Sequence, residues 1–194
     1  MNESTGTSAW ISPAEFHRSA GVSDWRVTGT GPQAVFIATS LAQAAALIAS
    51  VVAIADSLGL LPDMDVRAEA VIVRAPYRSW DGIPAAAVDF AVAASSEAAE
   101  LGLKPDPSRV QSIGIYVAQH SEADARPFFE AALGYEAFGD TDAVDPLRSG
   151  PQLAFNPITG DAPSRGSHAL RRLRAGRSGR GAGERRTRGR RPAG

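Results

Sequence analysis

The sequence predicts an α+β fold in which helices pack on one face of an antiparallel sheet. Short β-branched runs alternate with longer Ala-rich segments of helical character. Several of these segments begin at Ser or Pro and end at Gly, as helices do. Of the 194 residues 44% are hydrophobic, so the chain can bury a core. Cysteine is absent, which excludes disulfides and thiolate metal sites.

The predicted elements follow one another from residue 12 to residue 155. Ser12-Pro13-Ala14-Glu15 has the pattern of a capping box and predicts a short helix ending near Gly21. The residues 104–108, with two prolines, predict a linker between two units. The remaining predicted elements are strands 25–28 and 34–39, helix 41–58, strand 66–75, helix 84–101, strand 110–118, helix 122–133 and strand 152–155.

The helix predicted at 41–58 is apolar over most of its circumference. Its polar positions Gln43, Ser50 and Ser57 recur every seven residues and form one narrow stripe. Because such a helix must be covered on more than one side, it predicts a homo-oligomer; the alternative is cover by residues 84–101 of the same chain. Its apolar run is too short and too interrupted to predict a membrane span. With the polar N-terminus, this predicts a cytoplasmic protein.

The net charge of −1 hides a strong asymmetry along the chain. Residues 1–160 contain 9 basic and 19 acidic residues, whereas residues 161–194 contain 11 Arg and 2 acidic residues. The composition predicts a domain at 1–104, a partial module at 109–158 and a disordered tail at 159–194. Three interpretations of the tail stay open: an arm that binds nucleic acid or another polyanion, an inert tail, or the out-of-frame continuation of the gene.

A series of landmarks runs through residues 12–102 in a fixed order: Asp24-Trp25, Phe36, Ala55-Asp56, Pro62-Asp63, Val71-Ile72-Val73, Gly82-Ile83 and Asp89. In the order and spacing of these landmarks, residues 12–102 resemble the pterin-4a-carbinolamine dehydratase family. The resemblance implies a lyase that removes water from a 4a-hydroxytetrahydropterin. It implies no metal and no redox cofactor, with a pterin as substrate or ligand.

This chain departs from the family at its histidines. Two adjacent histidines of the family correspond to Leu60 and Leu61, and a third to about Arg78. Leucine cannot transfer a proton, and arginine stays protonated. The chain is therefore expected either to retain a dehydratase pocket or to be a non-catalytic oligomeric module that binds a ligand or a partner. The resemblance implies Asp89 as the catalytic candidate, and as ligand-binding candidates Leu60, Leu61, Pro62, Asp63, Tyr77, Arg78 and Trp80.

The segments 112–117, 125–136 and 150–155 form a second pattern of this kind. Through these segments, residues 110–157 resemble the opening of a glyoxalase-like (vicinal oxygen chelate) module. It implies a βαβββ unit of the kind that, in pairs, holds a divalent metal with His and Glu. Here the first strand lacks His, and His120 follows its end as an expected loop residue. The sequence therefore predicts no metal site and no metal-dependent glyoxalase activity.

Overall fold

The computed structural model describes residues 9–75, 82–120 and 124–157, together with the backbone of residues 168–174. These residues form two larger sheets with helices packed against them, and a short third ladder. The predicted α+β class is therefore confirmed. The two larger sheets divide the described chain into a first unit, residues 9–105, and a second unit from residue 111 onward.

The first unit contains an antiparallel sheet of order β2-β3-β5-β4, and β7 pairs with the end of β3. A separate short ladder joins β1 to β6. The helices are α1 (Pro13–Arg18), α2 (Leu41–Leu58) and α3 (Ala86–Glu100). The strands are β1 (Trp10–Ile11), β2 (Arg26–Thr28), β3 (Gly31–Ile37), β4 (Asp63–Arg67), β5 (Ala70–Arg74), β6 (Ile83–Pro84) and β7 (Lys104–Pro105).

The predicted helix signals of the first unit are confirmed at α1 and α2. The Ser12 hydroxyl accepts the Glu15 N–H, and the Glu15 carboxylate accepts the Ser12 N–H at 2.7 Å, which completes the capping box. The Ser40 hydroxyl accepts the Gln43 N–H at 3.1 Å and so caps α2. Gly59 ends α2 with a φ of 65°, in the left-handed region that glycine adopts without strain.

The core of the first unit lies between one face of its sheet and the helices α2 and α3. Trp25 is fully buried there, and its indole N–H donates to the Ala91 carbonyl at 3.0 Å and to Ser95 Oγ at 3.1 Å. Its ring meets Phe36 and Phe90 edge to face. This arrangement joins the sheet to α3 by both apolar and polar contacts.

Helix α2 buries one residue per turn against this core: Ala44, Leu47, Val51 and Ala55. Its opposite side is exposed, including Val52 at 42%. By length and composition alone α2 is long enough and apolar enough to cross a membrane, a test that the core helices of soluble proteins also meet. The homo-oligomer that the sequence predicts through α2 stays a prediction.

Two predicted boundaries in the first unit are wrong. The single strand predicted at 66–75 is a hairpin, in which β4 and β5 are joined at Ala68 and Glu69. This turn carries no Gly, Asn or Asp signal, so the sequence pattern does not announce it. Pro84 was expected to open a helix, but it lies in β6 opposite Trp10, and α3 begins at Ala86.

The predicted linker at 104–108 is part of the folded structure. Lys104 and Pro105 form β7, and a 3₁₀ turn follows at Pro107–Arg109. The Asp106 carboxylate accepts the Ser108 N–H at 3.1 Å, and the Asp106 N–H donates to the Val35 carbonyl at 2.8 Å. The two units are thus connected by a segment that is bound to the first sheet.

The second unit is a mixed sheet of order β12-β8-β11-β10-β9 with one helix. Strands β8 and β11 are parallel, and the other pairings are antiparallel. The short hairpin of β9 and β10 was not predicted. The elements are β8 (Gln111–Gln119), α4 (Arg126–Leu133), β9 (Glu136–Phe138), β10 (Asp142–Val144), β11 (Gln152–Pro157) and β12 (His168–Arg174).

The structure differs from the sequence prediction at seven residues of the tail. The backbone of His168–Arg174 pairs antiparallel with β8, over Gln111 to Val117. A strand has two rows of backbone N–H and C=O groups, and β11 occupies only one row of β8. The second row is what the tail segment satisfies. The other residues of the predicted tail, 159–167 and 175–194, lie outside the described residues.

Candidate functional site

The two leucines at the family's histidine positions lie in different environments. Leu60 follows the glycine that ends α2, donates its N–H to the Ala55 carbonyl at 2.9 Å, and packs against the core of the first unit. Leu61 is 74% exposed. Pro62 is half-buried and leads into β4. The segment therefore acts as a helix-to-strand connection, with one leucine inside and the next outside.

Asp63 belongs to a charged group at the start of β4. It lies opposite Arg74 in the antiparallel register, and the Asp63 carboxylate is 3.9 Å from Arg74 Nη1. Arg74 Nε also donates to Gln33 Oε1 at 3.2 Å. Burial lowers the pKa of Arg74 from its ordinary value, and the carboxylates of Asp63 and Asp65 oppose this shift. These contacts hold β3, β4 and β5 together.

The remaining predicted residues are not brought to this group by the described contacts. Asp89 is exposed in the first turn of α3, where a carboxylate is favoured by the helix dipole. Tyr77, Arg78 and Trp80 lie outside the described residues. Of the predicted site residues, the structure therefore describes the connection 60–62, Asp63 beside Arg74 in the sheet, and Asp89 at a separate position on the surface of α3.

A cavity of about 380 Å³ lies between the two units. Small-molecule sites commonly measure about 300–1,000 Å³ and are mostly apolar, as this one is. The β2–β3 turn closes one side, and the second sheet forms the opposite wall. The lining residues are Thr28, Gly29, Thr30, Gly82, Ser112, Ile113, Gly114, Ile115, Tyr116, Phe138, Asp142, Gln152 and Ala154.

The wall of the cavity follows from the alternation of side chains along β8. Ser112, Gly114 and Tyr116 are spaced two apart, share one face of the strand and line the cavity, and the intervening Ile113 and Ile115 also contribute to the lining. Val117, which follows on the other face, joins a buried cluster with Leu153 and Phe155, against which Phe129 of α4 packs. The second sheet thus has a core face under α4 and a face that lines the cavity.

A buried carboxylate with an amide partner forms the polar part of this wall. Asp142 is 7% exposed. Its Oδ1 accepts the Thr141 hydroxyl at 2.9 Å, and its Oδ2 accepts the Gln152 Nε2–H at 2.6 Å. Both donors are neutral, and the described residues that line the cavity include no Lys, Arg or His. The carboxylate is therefore held by hydrogen bonds without a cation from the lining.

Two glycines line the cavity, one in a tight contact and one with space beside it. A Cβ placed on Gly29 would come to 3.1 Å from Gln152 Oε1, so the β2–β3 turn approaches the second sheet closely. A Cβ placed on Gly114 would have Tyr116 Cε2 at 3.8 Å as its nearest neighbour, which is an ordinary contact. A larger side chain at Gly114 would therefore enter the cavity without disturbing the strand.

The sequence reasoning missed Asp142 and Gln152. They come from strands β10 and β11, and they meet the first unit at a turn more than a hundred residues earlier. One signal was available: Gly114 interrupts the apolar part of a strand, where the missing side chain leaves space beside the backbone. Among the residues that the structure describes, no group of three His, Asp or Glu side chains is placed to hold a metal ion.

Comparison with protein-family models, with curated proteins and with solved structures finds no match to this chain.

Proposed function

We propose that this chain is a small-molecule-binding protein whose ligand occupies the cavity between the two sheets. The observation that carries the proposal is a mostly apolar cavity of about 380 Å³ with one buried, oriented carboxylate–amide pair. Pockets that bind small molecules combine an apolar lining with a few polar groups fixed in position. The pair of Asp142 and Gln152 is such a group, because each side chain holds the other in place.

Elimination of water from a 4a-hydroxytetrahydropterin is the second candidate, and it rests on the resemblance of residues 12–102. A dehydratase needs a proton donor for the departing hydroxyl and an acceptor for the ring proton. Leu60 and Leu61 supply neither, and Asp63 is engaged with Arg74. Asp89, the catalytic candidate that the resemblance implies, is an exposed carboxylate in the first turn of α3. Ligand binding without elimination therefore fits the described side chains better.

Titration of the full chain with prodan, a neutral naphthalene fluorophore, tests the proposal. We expect saturable binding at one site per chain and a Kd at least about tenfold weaker for Gly114→Val, which fills the cavity while suiting a strand. Ala137→Val, on the exposed strand β9, is the control and should bind as the wild type does. Absence of binding, or equal binding by Gly114→Val, would overturn the proposal.

The elimination candidate is tested in the same preparations with a 4a-hydroxytetrahydropterin. We expect the rate in the presence of the protein to equal the rate in buffer. Turnover above that rate that is lost in Asp89→Asn would favour the dehydratase function instead. Glu97→Gln, a half-buried position further along the same helix, is the control for general effects of removing a charge from α3.

A further inference from the structure

The polar pair of the cavity, Asp142 and Gln152, presents hydrogen-bond acceptors. The Asp142 carboxylate is 93% buried and has accepted one hydrogen bond on each oxygen, although each oxygen can accept more than one. The Gln152 amide donates an N–H to Asp142, and its Oε1 lies beside the turn at Gly29. Both hydrogen bonds that the described residues give to Asp142 come from neutral donors, and a buried carboxylate gains from a further donor, since burial has removed its water.

The hydroxyls on the opposite side of the cavity are already engaged with the chain itself. Thr28 Oγ1 donates to the Gly31 carbonyl at 3.1 Å, accepts the Thr30 N–H at 3.3 Å, and lies 3.1 Å from Thr30 Oγ1. This turn is therefore held in shape by its own threonines. On the second sheet, the carboxylate–amide pair is a polar feature that can orient a ligand, and the hydroxyl-bearing residues Ser112 and Tyr116 line the cavity beside it.

We infer that the cavity takes a flat heterocycle, neutral or cationic, that presents two adjacent N–H donors to Asp142. This inference rests on the proposed function and names its ligand class. A carboxylate accepts two parallel N–H bonds from an amidine-like or guanidine-like edge, and such paired bonds are strong and directional. The aromatic side chain of Tyr116 lines the same cavity and suits a flat ring, and Phe138, which carries the Arg148 guanidinium over its ring at 5.4 Å, adds to the apolar lining.

The edge formed by the 2-amino group and the neighbouring ring N–H of a pterin has this chemistry. Lumazine has the same bicyclic ring with an oxygen in place of the 2-amino group, so it lacks one of the two donors. The two compounds have nearly the same size and shape. Their difference in affinity therefore reports recognition of the donor edge, separately from the filling of the cavity.

Isothermal titration of the full chain with pterin and with lumazine tests the inference. We expect pterin to bind about tenfold to a hundredfold more tightly than lumazine, because the missing donor leaves a buried carboxylate unsatisfied. Asp142→Asn should reduce this preference to less than about threefold, since an amide oxygen accepts one of the two bonds and its NH₂ repels the other. Asp140→Asn, an exposed carboxylate two residues away, should keep the preference.

The possible outcomes separate this inference from the proposed function. Equal affinity for pterin and lumazine, with both lost in Gly114→Val, would overturn the donor-edge inference and leave the binding function standing. A preference for pterin that survives Asp142→Asn would also overturn it, because the recognition would then come from other groups. Failure of pterin, lumazine and prodan alike would overturn both.

Discussion

Histidine placed at Leu60 and at Leu61 should have very different effects on stability. Leu60 packs against the core of the first unit, whereas Leu61 is 74% exposed. Complete burial of a leucine side chain contributes about 1.5–3 kcal/mol, so the half-buried Leu60 should lose about 1–2 kcal/mol on replacement by the more polar imidazole. An exposed replacement usually changes the free energy of unfolding by less than about 0.5 kcal/mol.

Urea unfolding followed by tryptophan fluorescence measures both effects, because Trp25 is fully buried in the native core. We expect Leu60→His to lower the unfolding midpoint clearly and Leu61→His to leave it unchanged at pH 8, where histidine is neutral. Equal losses in the two variants would refute the assignment of one leucine to the core and the other to solvent. The double variant should not gain dehydratase turnover, and turnover above the buffer rate would show that this connection still forms the family's site.

Three further predictions concern the first unit. Burial and a neighbouring arginine lower the pKa of His17 below its ordinary value of 6.5, so the unfolded chain takes up the proton first and stability is lost as the pH falls below that value. Urea unfolding at pH 7 and pH 5 should therefore show a smaller loss of stability for His17→Gln than for the wild type. Equal losses in the two proteins would contradict this assignment. Gly21→Ala should lower the free energy of unfolding by about 1–3 kcal/mol in thermal unfolding, because φ is +81° and the new Cβ would lie 2.9 Å from a methyl group of Val92. The loss should exceed that of Gly59→Ala, where φ is +65° and no atom of the described residues beyond its chain neighbours lies within 4 Å of the new Cβ. Equal losses would show that the contact with Val92 is relieved. If α2 mediates a homo-oligomer, Val52→Glu on its exposed side should dissociate the oligomer in analytical ultracentrifugation. Leu47→Glu should instead unfold the chain, because Leu47 is fully buried. A monomeric wild type would contradict the oligomer.

The features that could be predicted from the sequence are those set by neighbouring residues. The capping box at Ser12 and the glycine that ends α2 act over three to five positions, so the pattern reveals them directly. Pro84 was misread because its partner in the ladder is Trp10, more than seventy residues away. The hairpin at 63–74 was missed because its turn has an ordinary composition.

The candidate site could not be predicted because it is assembled from distant parts of the chain. The β2–β3 turn near Gly29 meets Gln152 only after both sheets have formed and docked. The carboxylate of Asp142 looks, in the sequence, like one more acid in an acidic segment. Its burial and its bond to Gln152 appear only in the paired strands β10 and β11.

The pairing of β12 with β8 has a practical consequence for how the chain should be shortened. Removal of everything after residue 160 would strip seven backbone partners from a nine-residue strand that carries apolar residues such as Ile113, which is 46% exposed. A bare strand edge of that length recruits other chains and promotes aggregation. A truncation meant to remove the Arg-rich segment therefore belongs after residue 174, so that binding to a polyanion can be compared with and without that segment while β12 still pairs with β8.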